Sequence, residues 1–139
     1  MRYSPEEILP MRTELTAVGF RELVSASDVD SFLADRQGAA LIVINSVCGC
    51  AAGMMRPGAR KALENERRPA RIATAFAGQD LEAVERIREY LGEIPPSSPA
   101  IAMFSEGELV FYLGRNDIEG SCSAVIAGRL VEVFDRHCS

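Results

Sequence analysis

The segment Ala39-Ala40-Leu41-Ile42-Val43-Ile44 constrains this chain more than any other. Six apolar residues run without interruption between Gly38 and Asn45. A strand with one wet face alternates apolar and polar side chains, whereas a strand covered on both faces does not. The run therefore predicts a central strand of a parallel or mixed sheet, with helices packed on both sides. It is far too short to cross a membrane, which takes about 20 apolar residues.

The flanking segments supply those helices. Ser4-Pro5-Glu6-Glu7 is a helix start: a hydroxyl cap, a proline in the first turn and early acids. Pro10 is expected to interrupt or restart this helix, which then continues with Met11, Leu15 and Val18 on one face until Gly19. Residues 25–30 carry a second cap, followed by the apolar stripe Val29, Phe32 and Leu33. Beyond the apolar run, residues 51–63 read as a helix kinked at Pro57, and Arg71–Ala77 as a second strand. Asp80 reads as the cap of a helix with Leu81, Val84, Ile87 and Leu91 on its inner face. Ala100–Phe104 and Leu109–Leu113 form a hairpin. A last helix opens at Gly120-Ser121, with Val125, Ile126, Leu130, Val133 and Phe134 inward. The expected architecture is α/β: a three-layer α/β/α sandwich around a mixed four-stranded sheet, with extra N-terminal helices, in one domain spanning 1–139.

Composition narrows the function. Fifteen basic and twenty acidic side chains give a net charge of −5. Sequence-blind nucleic-acid binding and docking on anionic membranes both need a basic footprint, so neither partner is expected. The N-terminus carries acids and a proline where a secretory signal needs an apolar stretch, so a cytoplasmic protein is expected. In a reducing compartment the four cysteines (Cys48, Cys50, Cys122 and Cys138) are not a disulfide framework.

Cys48-Gly49-Cys50 stands between the central strand and the next helix, at the carboxyl end of the strand, where sites in such sheets collect. A helix N-terminus presents unpaired amides and partial positive charge. A cysteine there loses its proton more readily, which marks Cys48 as a nucleophile with Cys50 close enough to resolve its mixed disulfide. Residues two apart in an extended chain are separated by roughly 6.6–7.2 Å, at the edge of disulfide reach. Gly49 is therefore expected to supply the bend. A bridge over one residue is expected to be strained and easily reduced.

The order of strand, CGC, helix, strand, helix, proline and hairpin resembles thioredoxin-like domains. These place a cis-proline just before the third core strand, facing the redox cysteines, which implies a cis bond at Ser98-Pro99. More specifically, the chain resembles the bacilliredoxin family. The matching stretches are Pro10-Met-Arg-Thr-Glu-Leu-Thr, Val43-Ile-Asn-Ser-Val-Cys-Gly-Cys-Ala-Ala-Gly, Arg56-Pro57, Phe76-Ala-Gly-Gln-Asp80, Pro96-Ser-Ser-Pro99, Ile118-Glu-Gly120 and Phe134-Asp-Arg-His-Cys138. The resemblance implies a thiol-disulfide oxidoreductase that removes bacillithiol or a similar low-molecular-weight thiol from protein mixed disulfides, with associated disulfide isomerase activity. Cys48 would attack and Cys50 resolve. The small thiol would be a co-substrate, the partners mixed-disulfide client proteins, and no bound cofactor is implied. The alternative is a non-enzymatic metal-binding or thiol-sensing module.

Other residues carry two readings each. Asn45 and Ser46 either polarise the thiolate or satisfy loop amides. Arg115 either holds an acidic part of a thiol substrate or is a solvated surface side chain. A zinc site would need Cys48, Cys50, Cys122 and either His137 or Cys138 together, at a spacing that fits no strong pattern; no metal is expected. Cys122 reads as a small buried hydrophobe, Cys138 as a semi-exposed bystander and His137 as a complement to a helix C-terminus. Met54 and Met55 read as core.

Overall fold

The computed structural model describes residues 3–138. The elements are α1 (Pro5–Thr16), β1 (Arg21–Glu22), α2 (Ala26–Ala34), β2 (Ala39–Asn45), a π turn (Ala51–Met55) running into α3 (Arg56–Ala62), β3 (Arg71–Phe76), α4 (Leu81–Tyr90), β4 (Ala100–Ser105), β5 (Glu108–Leu113), α5 (Arg115–Glu119) and α6 (Ser123–His137). They build one five-stranded sheet in the order β1-β3-β2-β4-β5. The first three strands are parallel, and the β4–β5 hairpin joins β2 antiparallel.

Strand β2 is buried along its whole length. Its alternate residues enter two separate cores, as the pleat requires. Ala39, Leu41 and Val43 face Leu15 of α1, Met55, the small residues of α3 and Ile126, Leu130 and Phe134 of α6. Ala40, Ile42 and Ile44 face Val29 and Phe32 of α2 and Val84 and Ile87 of α4. Each fully buried large aliphatic contributes about 1.5–3 kcal/mol. The expected sandwich of helix, sheet and helix is therefore present, with α1, α3 and α6 on one side and α2 and α4 on the other.

Several expectations are corrected. The sheet has five strands rather than four. The added β1 has only two residues, both with exposed polar side chains, and it joins β3 through backbone bonds such as Leu23 N–H to the Thr74 carbonyl at 2.8 Å. Such a strand leaves no apolar pattern to read. Pro10 does not break α1. It lies on the exposed side with Glu6, so the carbonyl deprived of its amide partner is open to water. At Pro57 the expected kink takes the form of a π turn: the Arg56 N–H bonds the Ala51 carbonyl five residues back. Proline lacks the amide for a Gly53 bond and its ring crowds that carbonyl, and the wider turn accommodates both. Leu81 and Val125, expected inside, are exposed. The segment before α6 holds a separate short helix, α5, and α6 itself begins at Ser123.

Helices α3 and α6 approach closely at Gly58. A β-carbon there would stand 2.8 Å from Ile126 Cγ2 and 2.9 Å from its Cβ. Overpacking costs about 1–3 kcal/mol, and the better helix propensity of alanine recovers about 1 kcal/mol. Gly58→Ala should therefore lower the unfolding free energy by about 1 kcal/mol, seen as an earlier urea midpoint at unchanged m-value. A stabilised variant would show that the helices separate freely.

Candidate active site

Register brings four chain segments to one edge of the sheet. At the end of β2, Asn45 pairs with Phe76, the last residue of β3, and Ile44 pairs with Ala100, the first of β4. Ile101 in turn pairs with Leu113, the last residue of β5. The Cys48 turn, the Phe76–Asp80 turn, the Ser98-Pro99 bond and the start of α5 thus share this edge. The Ser98–Pro99 peptide bond is cis.

Helical backbone begins at Gly49, directly after Cys48. The Cys48 carbonyl accepts from the Ala51 and Ala52 amides at 3.1 and 3.2 Å, so Cys48 occupies the cap position. Gly49 is not among the positive-φ residues, and a β-carbon there would meet nothing within 4 Å. The chain bends at Gly49 as expected, and the bend is an ordinary right-handed helical start that closes the distance between the cysteines.

Both cysteines are free thiols, with sulfurs 2.6 Å apart. Burial pushes the Cys48 thiol up. Hydrogen bonds to its sulfur from the Cys50 thiol, the Ser46 hydroxyl and the Ala51 and Cys50 amides outweigh burial, and Cys48 ends below the ordinary cysteine value. Cys50 moves the opposite way. Burial raises it first, the donated bond and the charge of Cys48 raise it further, and the attraction of Arg115 does not compensate. One sulfur is prepared to be an anion and the other to keep its proton.

Asn45 and Ser46 belong to a buried polar frame beneath this turn. The Asn45 Oδ1 accepts from the Ser46 amide at 2.8 Å and from Arg56 Nη1 at 2.9 Å. Its Nδ2 donates to the Met11 carbonyl of α1 at 3.1 Å. The Ser46 Oγ accepts from the Cys48 amide at 3.2 Å. Arg56 is the residue that sequence reasoning passed over. It is 2% exposed, and Nη1 also donates to the Ser46 carbonyl at 2.8 Å. Its Nε lies 3.2 Å from Glu14 Oε2 as an ion pair, off the axis of a hydrogen bond. The available signal was its spacing: Arg56 lies three residues before Ala59, on the buried face of α3.

Asp80 does not cap α4 with its side chain. Its carboxylate accepts two bonds from Arg12 at 2.9 Å each, and another from the Phe76 amide at 2.9 Å. The Arg12 guanidinium also lies over the Phe76 ring. The bidentate pair ties α1 to the β3–α4 turn, a stronger use of the carboxylate than one amide.

Arg115 is exposed at the first turn of α5, which packs against the π turn. Its amide donates to Ser97 Oγ at 2.6 Å, its Nε to Glu119 at 2.8 Å and its Nη1 to the Ser98 carbonyl at 3.5 Å. The Glu119 bond, then the charges of Cys48 and Cys50, hold its proton more firmly than usual. Arg115 thus joins the proline loop to the cysteines electrostatically. The remaining candidates stay apart. Cys122 is exposed at the cap of α6, not buried as expected, because its cap position leaves the side chain outside the helix packing. Cys138 is half-buried, with burial and Asp135 holding its thiol up. His137 closes the last turn of α6. Among the described residues, no three His, Cys, Asp or Glu side chains converge on a metal position. Met55 is fully buried and Met54 partly so.

Removing Arg56 leaves buried acceptors under the turn without their charged donor. Arg56→Met should cost roughly 2–4 kcal/mol in urea unfolding. An unchanged midpoint would mean that the frame does not depend on this cation.

A family profile described as disulphide isomerase matches residues 3–138. A bacilliredoxin of Cytophaga hutchinsonii is 49% identical over 133 residues, covering 96% of this chain and 98% of the relative. A bacilliredoxin of Koribacter versatilis is 47% identical, covering 94% and 90%. One of Bacillus cereus is 43% identical, covering 98% and 95%. Among solved structures, oxidised mitochondrial thioredoxin 3 of Saccharomyces cerevisiae superposes with a TM-score of 0.57 at 14% identity, covering 86% of this chain and 98% of that one. Oxidised thioredoxin O2 of Arabidopsis thaliana gives 0.54 at 16% identity, covering 86% and 95%. These two likenesses concern the fold, and that fold is the thioredoxin fold. With a dithiol at the end of β2 and relatives that match it end to end, this chain belongs to the disulphide isomerase family of the bacilliredoxins, thioredoxin-fold thiol-disulfide oxidoreductases.

Proposed function

We propose that this chain strips a low-molecular-weight thiol from mixed disulfides on client proteins, with Cys48 as nucleophile and Cys50 as resolving thiol. The observation that carries this reading is the geometry of the pair: Cys48 caps the start of a helix, with the Cys50 sulfur 2.6 Å away, an arrangement that lowers the Cys48 thiol and raises that of Cys50. Only a thiolate attacks a disulfide sulfur. The Cys48 thiolate attacks the sulfur of the small thiol. A bond forms between Cys48 and that sulfur, the client–sulfur bond breaks, and the client leaves as a thiolate that takes a proton from water. Cys50 then gives up its proton and attacks Cys48. The Cys48–Cys50 bond forms and the small thiolate departs with the proton. The client cysteine has been reduced by two electrons and the dithiol oxidised by two. Two equivalents of external small thiol return the dithiol, forming their own disulfide.

Bacillithiol, implied by the resemblance to bacilliredoxins, or an analogue, is the co-substrate in this reading, and no bound cofactor is needed. Ser98 and cis-Pro99 border the substrate approach on the same sheet edge, and Asn45 and Ser46 hold the nucleophile's turn. The same attack on a wrongly paired client disulfide, followed by return of a client thiolate, amounts to isomerisation. It uses Cys48 in the same role.

Two outcomes follow. Cys48→Ser should reduce release of the small thiol from a blocked model protein to the uncatalysed rate, and Cys50→Ser should accumulate the small thiol on Cys48, read as a mass adduct. Equal turnover in both variants and the parent would defeat the mechanism. Alkylation of Cys48 should rise with pH through its lowered value and level off before the range where an ordinary thiol ionises. Cys50→Ala removes a donated hydrogen bond, so its curve should lie at higher pH; coincident curves would show that Cys50 does not stabilise the thiolate.

A further inference from the structure

We propose that Arg56 is a positioning residue for the nucleophile: it locks the Ser46 backbone and thereby holds the Ser46 hydroxyl against the Cys48 sulfur. This rests on Cys48 as the nucleophile of the reading above and adds to it the residue that keeps its turn in shape.

Ser46 is held at both of its backbone groups. Its amide donates to Asn45 Oδ1 at 2.8 Å, and its carbonyl accepts from Arg56 Nη1 at 2.8 Å. The same Nη1 donates to Asn45 Oδ1 at 2.9 Å, and Asn45 Nδ2 is anchored on the Met11 carbonyl at 3.1 Å. One guanidinium nitrogen therefore fixes the side chain of one residue and the carbonyl of the next. Asn45, Ser46 and Arg56 are all buried. Turning Ser46 about either peptide group would break a bond that water cannot replace. Arg56 follows both cysteines in the chain, so its reach back to Ser46 closes a loop that contains the whole dithiol.

From this fixed base the Ser46 side chain acts on Cys48. Its Oγ accepts from the Cys48 amide at 3.2 Å. A hydroxyl that accepts one bond still has its own proton to donate. Here that proton goes to the Cys48 sulfur, where it helps to hold the thiol below the ordinary cysteine value. The other charged and titratable groups around the dithiol act elsewhere. Arg115 of α5 is paired with Glu119 at 2.8 Å, and Arg12 of α1 with Asp80 at 2.9 Å. Glu14 of α1 lies 3.2 Å from the far side of Arg56, at Nε. The Cys50 thiol donates to the same sulfur from the other side. What distinguishes Arg56 among the charges near the dithiol is its direct hold on the Ser46 carbonyl.

The test follows alkylation of Cys48 against pH by mass spectrometry, which reads Cys50 separately. Ser46→Ala leaves the bonds to the Ser46 backbone in place and should raise the Cys48 midpoint by about one pH unit, the effect of one hydrogen bond to a charged group. Arg56→Met should raise it by a similar amount. Arg56→Lys keeps a cationic donor one bond shorter and should raise it by less. The double variant Arg56→Met/Ser46→Ala should shift no further than either single variant, because both changes remove the same bond. The plateau rate at high pH should be kept or rise, since a more basic thiolate is the stronger nucleophile. Cys50, buried in the folded protein, should stay slower than Cys48 in each variant, which separates a change in the turn from unfolding. Where Arg56→Met does not fold, Arg56→Lys alone and combined with Ser46→Ala gives the same comparison. A midpoint unmoved by Ser46→Ala or by the Arg56 variants, or shifts that add in the double variant, would overturn the proposal. Each of those outcomes leaves the mixed-disulfide reading standing; that reading falls instead if Cys48→Ser still releases the small thiol.

Discussion

Burial of β2 on both faces is the constraint from which the rest of the molecule follows. Leu41 and Val43 require one helical layer, and Ile42 and Ile44 require another. A strand enclosed in this way has only its ends free. Its carboxyl end delivers Asn45 and Ser46 to the floor of the site and Cys48 to the cap of the next helix. The hairpin and β3, held to β2 in register, then bring the proline loop, α5 and the Asp80 turn to the same edge. The placement of the chemistry is thus a consequence of core packing.

At that edge, burial alone would suppress both thiols, because a low-dielectric setting disfavours either anion. The distinction between the two sulfurs comes from hydrogen-bond direction. Donors converge on Cys48: the Cys50 thiol, the Ser46 hydroxyl and two amides. Cys50 receives the cost of its neighbour's charge and that of Glu119. The stabilisation of one sulfur and the suppression of the other are two descriptions of the same contact. A dithiol built this way holds one sulfur below and the other above the ordinary cysteine value.

Two arginines hold the edge in shape from below, by different means. Arg56 is enclosed and holds the Asn45 side chain and the Ser46 carbonyl, so the turn carrying Cys48 rests on a charged donor. Arg12 grips Asp80 across the gap between α1 and the β3–α4 turn. The Met11 carbonyl, next along α1, accepts from Asn45. Helix α1 is therefore part of the frame of the site, and the two sequence stretches around Arg12 and Asp80 meet in space. Buried charges of this kind are costly unless fully partnered, and both have their acceptors close at hand.

The layered α/β architecture and the position of the dithiol at the head of a helix were legible in the sequence, because each depends on local pattern. Continuous apolarity marks a covered strand, and a cysteine at a helix start is favoured as an anion wherever that helix lies. What stayed hidden depends on residues far apart in the chain. Strand β1 is held by backbone bonds, which no side-chain pattern records. The partner of Asp80 lies 68 residues away, so the local cap reading prevailed. The burial of Arg56 follows from packing around it, which spacing cannot convey. Composition and period determined what kind of layers this chain builds and which cysteine stands at the head of a helix; only tertiary packing decided which charges lie beneath that cysteine, because those are properties of the space between elements.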